Sequence, residues 1–277
     1  MTAAATAPAC PLDVSPGAVW ILDLDGVVWL SGTPIGDVGG AVARLVGAGV
    51  TVAFVTNNSA PTADDLADRL ARVGIPTDPH QLVSSADAAA SLVRPGDRVA
   101  VLGEQGLVES LTARGAVVAD HGPFAAAVVG WSRSFSFDQL SAVSTAARDS
   151  GRLIATNEDP THPTPDGLTP GAGSILAAVA TASGVTPEVA GKPHRPIVDL
   201  LRSRYGLGED GPPAVVVGDQ PRTDGRLAQA LGLPFALVDS GVTPPGSPVG
   251  DLPVAVRCPD LVSLVERAFR VAPATSG

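Results

Sequence analysis

Short apolar runs alternate with amphipathic segments along the first part of the chain. Residues 19–24 and 50–55 are two such runs, each followed by polar residues, which is typical of strands buried on both faces of a sheet. Residues 39–47 lie between them and have apolar positions at helical spacing. Thr62 predicts the start of a further helix after the second run. This β-α-β-α order predicts a parallel sheet.

The same alternation continues towards the C-terminus. Ser136 and Gln139 form a predicted capping box for a helix that runs through Arg148. Residues 157–173 are dense in proline and glycine and predict a long irregular loop, a feature that often has a function. Further strands are predicted at 98–102, 116–118, 126–129, 153–156, 214–217 and 235–238, further helices at 174–183, 196–205 and up to Leu231, and a closing strand and helix between 254 and 270.

The length of the chain bears on the number of domains. Its 277 residues exceed the usual size of a single core, so two units are expected, with one wide sheet as the alternative. We predict an α/β fold in which a Rossmann-like, doubly wound parallel-sheet core of residues 1–82 and 191–277 receives an inserted α/β domain of residues 83–190.

Composition excludes some partners. Lys and Arg total 18 against 28 Asp and Glu, a net charge of −10, which argues against binding of nucleic acid or a membrane surface through broad basic patches. No apolar run reaches the roughly 20 residues of a membrane span, and residues 1–10 lack the pattern of a secretion signal. Cys10 and Cys258 have no metal-ligand spacing, so a reducing, cytoplasmic location is expected. Lys192 is the single lysine.

Two carboxylates follow the first predicted strand. Asp23 and Asp25 are two residues apart and would project from the carboxyl end of the sheet, where open α/β folds bind ligands. Two acids this close repel each other unless a cation or a proton lies between them. Mg²⁺ suits oxygen ligands and phosphoryl chemistry. The alternative is a pair of acids that cap a helix or pair with arginines.

Polar residues also follow two later strands. Thr56 and Asn57 could donate hydrogen bonds to a phosphate, or could be ordinary turn residues. Lys192 could neutralise a phosphoryl group or a carboxylate, or could be a solvated surface lysine. Asp219 ends a third apolar run, and Asp224 follows it as a possible first-turn acid of a helix.

The order of these motifs resembles that of the haloacid dehalogenase superfamily. An acid pair after the first strand, Thr-Asn after the second, a later lysine and Gly-Asp-x-x-x-Thr-Asp after another strand match its four motifs, and the resemblance spans residues 20–243. The middle region is similar to the branch with a large α/β cap, which includes phosphatases of 4-nitrophenyl phosphate, phosphoglycolate, glycerol 3-phosphate and pyridoxal phosphate, and NagD-type nucleotidases. The segments that carry this second resemblance are 154–160, 165–167, 170–173 and 189–193.

The resemblance implies a role for each motif residue. Asp23 is implied as the nucleophile that forms an aspartyl-phosphate, and Asp25 as the general acid and base. Mg²⁺ is implied at Asp23, the Asp25 main-chain carbonyl and Asp219, with Asp224 beside it to position Lys192 or a water on the metal. Lys192 is implied as a catalytic cation that also contacts the phosphoryl group. The phosphoryl-binding residues implied are Gly26, Thr56, Asn57 and Asn58.

Two features bear on the substrate. His162 matches a position that is histidine in pyridoxal-phosphatase-like members, so we list it as a candidate substrate contact; His80, His121 and His194 have no partner in the sequence that suggests a role. The three residues between Asp219 and Thr223 are Gln-Pro-Arg, whereas the branch commonly has Arg-Leu-x.

These observations predict a Mg²⁺-dependent phosphatase of a small phosphorylated metabolite. Glycerol 3-phosphate, 2-phosphoglycolate, pyridoxal phosphate and 4-nitrophenyl phosphate are the candidate substrates. A NagD-like nucleotide phosphatase is the alternative, followed by a phosphotransferase and by a non-catalytic phosphoacceptor such as a receiver domain, which needs about half this length. Homodimerisation through the cap is common in similar proteins, so a homodimer is the candidate assembly, although nothing in this sequence indicates it.

Overall fold

The computed structural model describes residues 12–30, 32–164, 167–252 and 254–271, so the expectations about the first ten residues, including Cys10, and about the segment at 165–166 lie outside the described part. Helices and strands alternate along much of the described chain, as predicted. The strands are β1 Val19–Asp23, β2 Trp29–Leu30, β3 Thr33–Pro34, β4 Thr51–Thr56, β5 Leu82–Ser84, β6 Arg98–Leu102, β7 Val117–Val118, β8 Ala126–Val129, β9 Leu153–Ala155, β10 Thr161–Thr164, β11 Gly167–Pro170, β12 Pro187–Val189, β13 Ala214–Gly218, β14 Phe235–Val238 and β15 Val254–Cys258. The α-helices are α1 Val38–Gly47, α2 Ala63–Arg72, α3 Ser85–Ala90, α4 Gln105–Ala113, α5 Phe137–Ser150, α6 Ala172–Ser183, α7 Arg195–Tyr205, α8 Arg226–Leu231 and α9 Leu261–Val271, with a 3₁₀ turn at Pro79–Gln81 and a π-helical turn at Pro221–Gly225.

The larger sheet is the Rossmann-like core expected from the apolar runs. Its order is β15-β14-β13-β1-β4-β5, and every neighbouring pair is parallel. The central strand β1 is buried along its whole length, which explains its unbroken apolar run. In the register, Asp23 lies beside Val55 and Leu22 beside Val217. The carboxyl ends of β1, β4 and β13 therefore meet at one edge of the sheet.

A second parallel sheet is formed by the middle of the chain. Its order is β12-β9-β8-β6-β7, and its strands extend from Arg98 to Val189. The predicted boundary after residue 82 falls inside β5, which pairs with β4 of the larger sheet. That placement corrects the boundary, because so short a strand is recognised only by the neighbour with which it pairs. The division into two domains stays a prediction, with the inserted unit beginning after β5.

The two sheets are joined by small apolar side chains. Helix α3 consists almost entirely of alanine and serine, and all its residues except Asp87 are buried. Ala86 and Ala89 belong to one apolar cluster with Val128 of the inserted sheet and Ile197 of the core. This shared packing fixes the inserted sheet above the carboxyl edge of the larger one, because well-packed interiors resist displacement.

The predicted irregular loop at residues 157–173 is partly wrong. Strands β10 and β11 form an antiparallel ribbon in which His162 lies opposite Thr169. Prolines in this segment argued against strands, but proline is tolerated at sheet edges, and both strands of a two-stranded ribbon are edges. Helix α4 was not predicted, and its N-cap residue Glu104 makes no side-chain capping bond. Among the helices of the described part, none is long and apolar enough to cross a membrane.

Candidate active site

The carboxyl edge of the larger sheet forms the floor of a cavity of about 680 Å³. Asp23 is the last residue of β1, Thr56 is the last residue of β4, and Asp219 directly follows β13; all three are buried. The roof comes from the inserted sheet and the β10–β11 ribbon. Lining residues are Asp23, Asp25, Thr56, Asn57, Asn58, Trp131, Asn157, Glu158, Asp159, Pro160, Thr161, His162, Gly171, Ala172, Lys192, Pro193, Gln220, Arg222, Thr223 and Arg226.

The single lysine is buried between two carboxylates. The Lys192 Nζ donates to Asp23 Oδ1 and to Asp224 Oδ1, each at 2.7 Å. Burial by itself would lower the pKa of Lys192, but the charges of Asp224 and Asp23 outweigh it and raise that pKa above its ordinary value. The two carboxylates therefore favour the charged form of this lysine. The alternative of a solvated surface lysine is wrong.

Asp219 has one buried oxygen without a partner. Its Oδ2 accepts a hydrogen bond of 2.7 Å from the Val242 N–H, whereas Oδ1 accepts none from any described residue. Burial, with the nearby charge of Asp224, raises the pKa of Asp219 to about 7. A buried unpaired carboxylate oxygen is costly and indicates an absent ligand or a proton.

The carboxylates around this oxygen fit a divalent cation. Asp23, Asp219 and Asp224 offer ligand atoms that lie within 4.8 Å of one another. A Cβ at Gly26 would lie 2.5 Å from Asp219 Cγ, so glycine is required for the close approach of this turn, which also has a φ of +89°. Hard oxygen donors of this kind suit Mg²⁺ or Ca²⁺. The predicted metal residues are thus brought together, except for the side chain of Asp25.

Asp25 faces the cavity from the turn after β1. Its Oδ1 accepts a hydrogen bond of 3.0 Å from the Trp29 indole N–H, and its carboxylate does not belong to the three-acid cluster. Burial raises the pKa of Asp25, and the charge of His162 offsets part of that rise. A carboxyl whose pKa is raised can hold a proton for transfer to a substrate oxygen. The His162 ring lies 5.8 Å from that of Trp131, centroid to centroid.

The side chain of Asn57 connects three segments of the chain by hydrogen bonds: its own, the one around Asp159 and the one around Lys192. Its Nδ2 donates to Asp159 Oδ2 at 2.9 Å and to the Lys192 carbonyl at 3.2 Å, while its Oδ1 accepts from the Lys192 N–H at 2.8 Å. The Asn57 carbonyl accepts from Asn157 Nδ2 at 2.7 Å and from the Ser85 hydroxyl at 2.6 Å. The prediction that this amide side chain binds phosphate is corrected, because protein groups occupy both its donors and its oxygen.

The neighbours of Asn57 keep polar groups at the cavity. Thr56 Oγ1 accepts from the Asn58 N–H at 3.0 Å, which leaves the hydroxyl hydrogen to donate. Asn58 Oδ1 accepts from the Ala60 N–H at 3.1 Å. Both side chains line the cavity, so the prediction that they bind a phosphoryl group stays open.

The Gln-Pro-Arg segment forms part of the cavity wall. It enters the π-helical turn, where the Gln220 N–H donates to Asp224 Oδ2 at 3.0 Å. Both oxygens of Asp224 are therefore engaged, one by Lys192 and one by this main-chain group. Gln220 and Arg222 line the cavity, so the departure from the common motif changes the wall that faces a substrate.

Several residues of the site were not predicted. His194 was assigned no partner, but its Nε2 lies 3.0 Å from Glu158 Oε1. The polar residues after β14 were overlooked: the Ser240 hydroxyl donates to the Gly26 carbonyl at 2.6 Å, and Val242 holds Asp219. The same strand-end pattern that identified Asp23 was present there. No sequence signal ties Asp159 to Asn57.

Comparison with known proteins places the chain in a family. The model of haloacid dehalogenase-like hydrolases matches residues 20–117, and a second model of HAD-like hydrolases matches residues 189–263. The D-glycerol 3-phosphate phosphatase of Mycobacterium tuberculosis is 37% identical over 228 residues, which are 80% of this chain and 63% of that protein. The chain thus spans less than two thirds of the length of this relative.

Comparison with solved structures leads to the same family. The p-nitrophenyl phosphatase from Archaeoglobus fulgidus has a TM-score of 0.83 and 30% identity, covering 91% of this chain and 99% of that one. Glycerol phosphate phosphatase from Mycobacterium tuberculosis, in complex with magnesium, has a TM-score of 0.80 and 32% identity, covering 92% and 79%. The chain belongs to the haloacid dehalogenase-like hydrolases, in the branch of phosphatases that have a large α/β cap.

Proposed function

We propose that this protein is a Mg²⁺-dependent phosphatase that hydrolyses small phosphorylated metabolites through an aspartyl-phosphate intermediate. The observation that carries the proposal is the buried Lys192 ammonium bonded to Asp23 and Asp224, beside the unpartnered oxygen of Asp219. A carboxylate cannot easily approach an anionic phosphate unless positive charge is already in place. This arrangement supplies one cation and the ligands for a second.

Asp23 attacks phosphorus with the oxygen that Lys192 does not hold. Among the described residues only Lys192 donates to this carboxylate, so the other oxygen is available. The new Asp23–phosphorus bond forms as the bond to the leaving oxygen breaks, and Asp25 gives that oxygen a proton. Asp25 then takes a proton from the water that attacks the aspartyl-phosphate, which releases inorganic phosphate and restores Asp23.

The carboxylates of Asp23 and Asp219 and the main-chain carbonyl of Asp25 would hold Mg²⁺. When bound, the ion neutralises charge on the carboxylates and on the phosphoryl oxygens. Asp224 acts through Lys192, because both its oxygens are engaged inside the protein. Thr56 and Asn58 contribute donors to the phosphoryl group, and Asn57 holds the Lys192 main chain in place.

The size of the cavity agrees with a small-molecule substrate. Its volume of about 680 Å³ is in the usual range for small-molecule sites. Glycerol 3-phosphate and 4-nitrophenyl phosphate are suggested by the names of the relatives, and 2-phosphoglycolate and pyridoxal phosphate remain candidates. His162 faces the same space and stays a candidate substrate contact.

The assembly and the location of the protein stay predictions. Val117, Val118 and Phe137 are exposed apolar side chains of the inserted sheet and its helix, and they support a homodimer through the cap. Light scattering after size-exclusion chromatography would distinguish a dimer from a monomer. The cytoplasmic location rests on the composition alone.

Hydrolysis of 4-nitrophenyl phosphate tests the proposal. We expect many turnovers in Mg²⁺, none in excess EDTA, and none for Asp23→Asn in either buffer. Asp64→Asn, an exposed acid on α2, is the matched control and should behave like the wild type. Full activity of Asp23→Asn would refute the nucleophile. A single equivalent of phosphate would indicate a phosphoacceptor, and transfer to a second alcohol without free phosphate would indicate a phosphotransferase.

A further inference from the structure

Two arginines line the active-site cavity without acidic partners. Arg222 lies in the π-helical turn and Arg226 is the first residue of α8, and both are exposed to the cavity. Neither forms an ion pair or donates a side-chain hydrogen bond to any described residue. Other arginines do: Arg257 pairs with Asp239 at 2.7 Å.

Local physical chemistry disfavours both positions. Arg226, the first residue of α8, opposes the helix dipole. Two like charges four residues apart on a helical segment repel each other. The nearest acid in the segment, Asp224, already binds Lys192 and the Gln220 N–H, so it cannot neutralise them. The helix gains nothing from these two charges, and such local violations are characteristic of functional sites.

Among the described residues of the cavity wall, Arg222 and Arg226 are positive charges that no carboxylate neutralises. Lys192, which the proposed reaction uses at the transferred phosphoryl group, is held between two carboxylates at 2.7 Å and is committed to that part of the site. The wall opposite also carries the acids Glu158 and Asp159, which disfavour a second anion of the substrate on their side of the cavity. A guanidinium group binds carboxylate and phosphoryl oxygens with two parallel hydrogen bonds.

We propose that Arg222 and Arg226 form a subsite for a second anionic group on the substrate. The preferred substrates are then phosphomonoesters whose alcohol carries a carboxylate or another phosphoryl group, rather than phosphate esters of uncharged polyols. The proposal rests on the proposed phosphatase function and names the substrate class of the same site. A carboxylate and a phosphoryl group each offer a pair of oxygens that a guanidinium group can bind. The test therefore includes one substrate whose second anion is a carboxylate and one whose second anion is a phosphoryl group.

The experiment compares kcat/KM for four esters. The ester with a second carboxylate is 2-phosphoglycolate, and the ester with a second phosphoryl group is fructose 1,6-bisphosphate. Glycerol 3-phosphate is the reference whose alcohol part is uncharged. Hydrolysis of 4-nitrophenyl phosphate reports on the phosphatase reaction itself. We expect the wild type to prefer at least one anionic ester over glycerol 3-phosphate. In the double variant Arg222→Gln/Arg226→Gln, kcat/KM for the ester with a second anion, divided by kcat/KM for glycerol 3-phosphate, should fall by about tenfold or more. The fall should come chiefly from a higher KM for the ester with the second anion.

The control is Arg114→Gln, an exposed arginine at the end of α4 outside the cavity, which should leave the ratio unchanged. Equal or better hydrolysis of glycerol 3-phosphate by the wild type would overturn the subsite while the phosphatase function stands. An unchanged ratio in the double variant would do the same. Absence of hydrolysis of every ester in Mg²⁺ would overturn the proposed function and the subsite with it.

Discussion

Replacing Asp219 with asparagine should change how stability depends on pH in the absence of metal. The pKa of this buried carboxyl is raised from 3.8 to about 7, chiefly by burial. Between these values the folded protein holds a proton at Asp219 that the unfolded chain has released. The free energy of unfolding therefore falls as pH rises through this window, by about 4 kcal/mol in total for a difference of about three pKa units.

Thermal unfolding in EDTA at pH 5 and pH 8 measures this effect. The asparagine variant has no charge to bury, so the difference in unfolding free energy between the wild type and Asp219→Asn should shift by about 3 kcal/mol over this range, or roughly 6 °C in Tm. Mg²⁺ at pH 8 should stabilise the wild type, because a cation bound to the folded state replaces the lost proton. Asp219→Asn should gain much less.

Two outcomes would refute this reasoning. A wild-type and Asp219→Asn difference that stays constant from pH 5 to pH 8 would mean that the carboxyl is not buried with an unpaired oxygen. Equal stabilisation of both proteins by Mg²⁺ would mean that the ion binds elsewhere. Asp64→Asn should follow the wild type at each pH, since this exposed acid makes no buried contact.

Three further substitutions follow from the contacts. Lys192→Arg should lower kcat for 4-nitrophenyl phosphate on the order of 100-fold, because a planar guanidinium cannot reproduce the two 2.7 Å bonds in a buried site; near-normal kcat would contradict this. Asp159→Ala should lower kcat about tenfold by freeing Asn57, and Asp159→Asn should recover most of it because an amide oxygen can accept the same bond. Steady-state kinetics that fail to separate the two variants would exclude this role. Gly26→Ala should raise the Mg²⁺ concentration needed for half activity, because the new Cβ displaces Asp219; an unchanged Mg²⁺ titration would show that the turn adapts.

Local signals predicted the elements that depend on local interactions. The apolar runs at 98–102 and 235–238 match β6 and β14 residue for residue. The capping box of Ser136 and Gln139 begins α5, since both of its hydrogen bonds form within four residues. The unpredicted ribbon and β5 lack such signals, because their pairing partners, rather than their own sequences, stabilise them as strands.

The sequence by itself determined the alternating α/β pattern and the identity of the chemical groups: the acids at the carboxyl ends of β1 and β13, Thr56 at the end of β4, and the single lysine. Only the tertiary structure decided how they are used. Lys192 contacts Asp23 across 169 positions of sequence, and Asn57 joins residues 102 and 135 positions away. Burial in that assembled edge raises the pKa values of Asp23 and Asp219 and leaves Asp219 Oδ1 without a partner among the described residues. Such contacts and burial depend on strand order and on packing between distant segments, which no local pattern encodes.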